Sequence, residues 1–278
     1  MTYFKDLFAR LRQSWRWVTA QFVVTLLLIL AGLAWTRLPE KHVWQVLLSL
    51  LVPLLLAISV LELQAGTMRS LAGDDGKRVK LVWGAMTLLA WIGVAWIAWA
   101  LLDWCDDQFP QWASYLNSKA ASTARARLFT YENIYLWMTY VEWVFRWIVV
   151  PAKVIPYAMA SAQWGLRLPW RSVIRLLWNW RWWLGVTIAA LFGVWLPGRF
   201  FATILSGTPH AQVLHEILRL ATAYLLAVGS WVLLLGWAAV LFGRRQQNTV
   251  DALALILGQT GPHAGEESAE KPPLPESE

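Results

Sequence analysis

Glu142 and Arg146 stand four residues apart inside an otherwise apolar stretch. At 100° per residue, Tyr135, Thr139, Glu142, Arg146, Lys153 and Tyr157 fall on one helical face within about 60°. The acid precedes the base, the favourable order for an i,i+4 ion pair. A charge in hydrocarbon costs about 2.5–3.5 kcal/mol on insertion scales, so such groups turn inward and often mark solute or ion paths. The face is therefore a candidate intramembrane polar site. A pair that only neutralises itself against a neighbouring helix is the structural alternative. Counting along the helix puts Glu142 near mid-membrane and Arg146 about 6 Å closer to the cytoplasm. Glu62, at the end of an earlier apolar run, is the distant residue best placed to meet Arg146 or Lys153.

Other chemistry is thinly supported. Asp103, Asp106 and Asp107 flank Cys105 at a spacing that could hold a hard cation through oxygen. Nothing nearby adds ligands at a defined spacing, so the trio reads as an acidic, outward-facing helix end. His42, His210, His215 and His263 are scattered, and HExxH, Walker A, GxSxG and GxGxxG are all missing from the sequence. No catalytic, metal or cofactor-binding residue is assigned, and no cofactor is expected. A single cysteine excludes an intramolecular disulfide.

The elements that must position these residues follow from composition. Hydrophobic residues make up 58% of the chain and charged residues 15%, against about 45–50% and 25% in soluble domains. Six segments are long and apolar enough to cross a bilayer as helices: 18–35, 43–61, 81–102, 131–150, 182–201 and 220–242. The expected fold is an all-α integral membrane protein, a six-transmembrane-helix bundle with two cytoplasmic-face amphipathic helices. Residues 1–17 form the first of these, 18–242 the membrane domain, and 243–278 a cytoplasmic tail. From about 258 the tail is acidic and rich in Pro and Gly, and is expected to be disordered. The first apolar run exceeds the 7–15 residues of a typical signal-peptide core, so it reads as a retained span. The connection 103–130 is expected to carry a short surface helix around 112–127. Pro53 is expected to kink the second span, and Pro151 and Pro156 to end the fourth. The chain holds 22 tryptophans, many at the ends of apolar runs, where an indole suits the membrane–water boundary.

Sixteen Lys and Arg fall in the first, third, fifth and last connecting segments, and seven on the other side, counting Arg199 at the outer end of the fifth span. By the positive-inside rule both termini are cytoplasmic, in a plasma or bacterial inner membrane. Lys5, Arg12 and Arg16 oppose an apolar face of residues 2–17. Arg167, Arg171 and Arg175 form a stripe on a helix expected over 170–181. Both sets are candidate contacts for anionic lipid headgroups on the inner face. Gly185, Ala189 and Gly193, and separately Gly229, Gly236 and Gly243, permit close helix approach. The net charge of +7 is read as membrane-facing basic residues, with no nucleic-acid partner. The expected function is a non-enzymatic membrane organiser that interacts with lipid or partner proteins, one partner possibility being the C-terminal tail. The rival is a small-solute or ion transporter or channel using the fourth-span face. A membrane-embedded enzyme is third.

Overall fold

The computed structural model describes residues 2–37, 42–73, 81–120, 129–165, 168–202 and 209–256. Every regular element among these residues is helical. They are α1 (Thr2–Gln13), α2 (Trp15–Trp35), α3 (Val43–Ala72), α4 (Leu81–Lys119), α5 (Tyr131–Val144), α6 (Val150–Trp164), α7 (Trp170–Leu177), α8 (Trp180–Ala190), α9 (Leu196–Ala202) and α10 (Pro209–Ile256). One π turn, Phe145–Val149, joins α5 to α6, and another, Leu191–Trp195, joins α8 to α9. Arg167 and the tail from 258 lie outside the described residues.

Five helical stretches are long and apolar enough to cross a membrane: Trp15–Trp35, Val43–Ala72, Leu81–Lys119, Trp180–Phe201 and His210–Gly243. The chain is thus of a class compatible with membrane insertion. The stretch Tyr131–Trp164 is helical throughout, but Glu142, Arg146 and Lys153 keep it out of that set. α10 is the central helix: 61% of its apolar window is buried, against 6% for α2.

The packed core gathers at one end of the bundle. Leu61, Ala65, Met68 and Leu71 of α3 meet Ala85 and Leu88 of α4, Ile155 and Met159 of α6, Val173 and Leu176 of α7, Trp182 and Val186 of α8, and Leu235 and Ala238 of α10. At the other end the helices carry exposed apolar side chains, among them Leu47, Leu50, Leu54, Ile97 and Leu101. Burial of this kind suits helices that face lipid over much of their length. Small residues set the close approaches. A methyl at Gly185 would lie 2.5 Å from the Trp237 ring, and one at Gly193 2.9 Å from Ser230 Cβ. Gly236 receives Leu7 of α1, so the glycines of α8 and α10 seat α10 against α8 and α1 against α10.

Prolines inside the helices remove backbone donors, and at three of them a tryptophan from a neighbouring helix supplies the missing donor. Pro53 leaves the Ser49 carbonyl without its helical N–H, and Trp35 Nε1 donates to it at 3.1 Å. Pro156 does the same to Ala152, whose carbonyl accepts from Trp182 Nε1 at 2.9 Å. In the first π turn the Val150 N–H reaches back to the Phe145 carbonyl. The next residue is Pro151, so the Arg146 carbonyl would lack a donor; Trp99 Nε1 supplies one at 3.3 Å. A bare carbonyl in hydrocarbon costs several kcal/mol. These three tryptophans therefore tie helices together, and boundary anchoring does not account for them. Trp182 is fully buried. Pro151 and Pro156 do not end the fourth helix, because donors from α4 and α8 let it continue to Trp164.

The connection after residue 102 also differs from expectation. α4 continues through Pro110 to Lys119 as a helix of 39 residues, about 58 Å at 1.5 Å per residue. Antiparallel α5 packs on its far part, and Asn117 Nδ2 donates to the Phe129 carbonyl at 2.7 Å. The far end is a two-helix hairpin and not an isolated surface helix.

Candidate functional site

Arg146 sits in the first π turn and makes two ion pairs. Its Nε pairs with Glu142 and its Nη2 with Asp103 of α4. The Glu142 side chain is 11% exposed and Arg146 24%, while Asp103 is 65% exposed. One guanidinium thus faces two carboxylates and joins the fourth helical stretch to α4. Its second acid is Asp103, where the sequence pointed to Glu62. Glu62 is exposed, and among the described residues no ion pair joins it to Arg146 or Lys153.

The remaining members of the expected polar face do not gather there. Tyr135 and Thr139 are exposed, and Thr139 Oγ1 donates to the Tyr135 carbonyl at 3.0 Å. Lys153 is exposed, with Nζ 5.6 Å from the Trp183 ring centroid. Tyr157 stacks on Trp91 with centroids 4.7 Å apart. For Lys153 and Tyr157 the physical reason is the π turn. It adds one residue to a helical turn, so the faces before and after it are offset by about 100°. An unbroken 100° wheel aligned Lys153 and Tyr157 with Glu142; the inserted residue separates them.

Contacts with α4 fix where the charges stand along the bundle. α4 and the fourth stretch run antiparallel in a continuous register. Gly84 abuts Ala162, where a methyl would lie 3.0 Å from the carbonyl oxygen. Trp91 Nε1 donates to Ser161 Oγ at 2.7 Å, Trp99 to Arg146, and Asn117 to Phe129. Asp103 and Arg146 therefore lie level with the finish of the apolar run 81–102, and Glu142 lies beyond it. Residues 146–163 are the ones alongside that run. The charges are level with the end of that run and not with its middle. Asp103 is turned to Arg146, and among the described residues no group of three or more His, Cys, Asp or Glu could hold a metal ion.

The basic segments lie at the opposite, core end. On α1, Leu7 is buried while Phe4, Phe8, Lys5 and Arg12 are exposed, and Arg16, in the first turn of α2, is exposed as well. Arg10 Nη1 donates to the Leu71 carbonyl at 3.0 Å, where α3 finishes at Gly73 in the left-handed conformation (φ 76°). A cation suits the carbonyls at a helix C-terminus. Burial pulls the Arg10 guanidinium below its ordinary pKa, and Asp6 opposes that shift. On α7, Val173 and Leu176 are buried and Arg171 and Arg175 exposed. The helix expected over 170–181 divides at Trp178. Asn179 caps the new helix α8 by accepting from the Arg181 N–H at 3.2 Å, and Trp183 Nε1 donates to the Leu177 carbonyl at 2.8 Å. Both contacts satisfy backbone groups that a helix terminus leaves bare. Trp180 therefore belongs to α8.

Between α1, α8 and α10 lies an apolar groove of about 500 Å³. Leu184 and Ile188 of α8, Phe192 of the second π turn and Leu233 of α10 line it, and all four are exposed. Arg181 stands at one end. Its guanidinium lies 4.6 Å from the Tyr3 ring centroid and 5.6 Å from that of Trp180. The sequence marks Arg181 only as a topology-setting cation. Its aromatic setting in the run Trp180–Trp183 was the available signal, but the part played by Tyr3 depends on how α1 folds back onto α10.

No protein-family model matches the chain, and no curated protein or solved structure is significantly similar to it.

Proposed function

We propose that this chain is a six-span membrane protein, with both termini in the cytoplasm, that organises anionic lipid at the inner leaflet. The observation that carries this is the placement of exposed cations. Lys5 and Arg12 of α1 and Arg171 and Arg175 of α7 face outward from short helices whose apolar residues Leu7, Val173 and Leu176 dock on the core, and Arg16 is exposed in the first turn of α2. Cations on such helices, next to large exposed apolar surfaces, suit a negatively charged headgroup layer. The sixteen-to-seven division of Lys and Arg supports assigning this end to the cytoplasm. The register with α4 supports a fourth crossing near residues 146–163, moved toward α6 from 131–150. The hairpin of α4 beyond residue 102 with α5 then projects outside.

A transport path along the fourth span has weaker support. Arg146 is neutralised by Glu142 and Asp103 at the edge of the apolar run, an arrangement suited to a clasp between helices. A π turn at the same point is the feature in favour of transport, since such turns recur at functional sites.

The test is the lipid that accompanies the protein. Full-length protein extracted in a mild detergent should carry anionic phospholipid enriched over the membrane it came from. Charge reversal at Arg171 and Arg175 together should reduce that enrichment. A co-purified lipid composition equal to the bulk membrane would reject the proposal.

A further inference from the structure

We infer that the groove between α1, α8 and α10 holds one acyl chain of an anionic glycerophospholipid, with Arg181 binding its phosphate. The inference rests on the inner-leaflet reading above and names the site and the ligand. Four observations support it. The volume of about 500 Å³ lies within the roughly 300–1,000 Å³ of ordinary ligand sites. From Arg181 to Phe192 the groove follows α8 and the start of the second π turn for about 16 Å at 1.5 Å per residue, close to half of a hydrocarbon core of about 30 Å. That is the depth of one leaflet. The lining is apolar and open to the side, with Ile188, Phe192 and Leu233 exposed where lipid would lie.

The fourth observation is charge. Arg181 is the cation lining the groove, and it stands at the end where α1 and α7 carry their basic residues. Among the described residues no carboxylate is paired with it. Instead it lies against the rings of Tyr3 and Trp180. Ring contacts orient a guanidinium and leave its N–H donors available for phosphate. An apolar trough ending in one oriented guanidinium complements a lipid with an apolar tail and an anionic head. A basic pocket between spans on the cytoplasmic side is a recognised form of anionic-lipid site.

Native mass spectrometry of the full chain, with phosphatidylglycerol or phosphatidylcholine added, tests the site. Wild-type protein should retain phosphatidylglycerol in preference to phosphatidylcholine. Arg181→Gln should weaken retention about fivefold or more, and Arg181→Lys should recover part of it. Ile188→Trp should fill the trough and displace the lipid with Arg181 intact. Circular dichroism and monodispersity establish that each variant is folded. If Ile188→Trp does not fold, the Gln and Lys pair decides alone. A wild-type preference that survives Arg181→Gln unchanged overturns the groove and leaves the inner-leaflet reading standing. A wild-type protein with no preference overturns both.

Discussion

The indole of Trp182 on α8 donates to the Ala152 carbonyl on α6 at 2.9 Å, and this is the carbonyl that Pro156 deprives of its helical partner. Trp35 and Ser49 repeat the relationship around Pro53. Trp99 and Arg146 repeat it around Pro151, offset by one residue because of the π turn. In each case a proline makes one helix depend on another.

That dependence can be measured. Trp182→Phe keeps an aromatic ring, smaller than the indole, but removes the donor; the unsatisfied buried acceptor should cost on the order of 1–3 kcal/mol, beside a packing loss common to both backgrounds. Pro156→Ala restores the local N–H, so Trp182→Phe should cost less in that background. Equal costs in both backgrounds, measured by denaturation in detergent, would mean that the indole bond does not compensate for the proline.

Arg146 should behave as a shared counter-ion. Arg146→Met alone strands Glu142 and Asp103 and should destabilise by on the order of 2 kcal/mol. Adding Glu142→Gln should recover much of the loss, since removing an ion pair whole is milder than breaking it. A double variant less stable than the single one, by the same assay, would contradict the clasp.

Gly185 should tolerate no side chain without movement of Trp237. Gly185→Ala should lower stability by about 1–3 kcal/mol through overpacking. Gly32→Ala is the control: nothing lies within 4 Å of its added methyl, and alanine favours helix by about 1 kcal/mol. Its stability should be unchanged or higher. Similar losses at both positions would show that the approach of α8 to α10 is not limiting.

Cys105 offers a native probe of orientation. It is the one cysteine, it is half-buried, and it follows the apolar run of α4. A membrane-impermeant maleimide should label it from outside intact cells, while a reporter after Arg245 reads as cytoplasmic. Labelling only in inverted vesicles would reverse the proposed topology.

The apolar parts of the helical framework are legible in the sequence because run length decides them, as 43–61 and 81–102 illustrate, whereas the continuation of those helices to Ala72 and Lys119 is not. The spacing of Glu142 and Arg146 is enough to bring them together. Their partner Asp103 is not legible, since it depends on the register of two helices set by Gly84, Trp91 and Trp99. The π turn carries no periodic signal, and it rotates Lys153 away from the face that a uniform wheel assigns to it. The division of 170–181 turns on one cap, Asn179, inside a run that is amphipathic throughout. Tryptophan composition points to the membrane boundary, whereas the bonds of Trp35, Trp99 and Trp182 require knowing which helix lies opposite each proline.

The central claim is that the end carrying α1 and α7 engages anionic lipid. Its most direct test is the thermal stability of the full chain in nanodiscs as phosphatidylglycerol replaces phosphatidylcholine. The Tm should rise with the anionic fraction, the rise should shrink as salt screens the exposed cations, and Arg171→Glu with Arg175→Glu should reduce it. A Tm independent of phosphatidylglycerol at low salt would contradict the account.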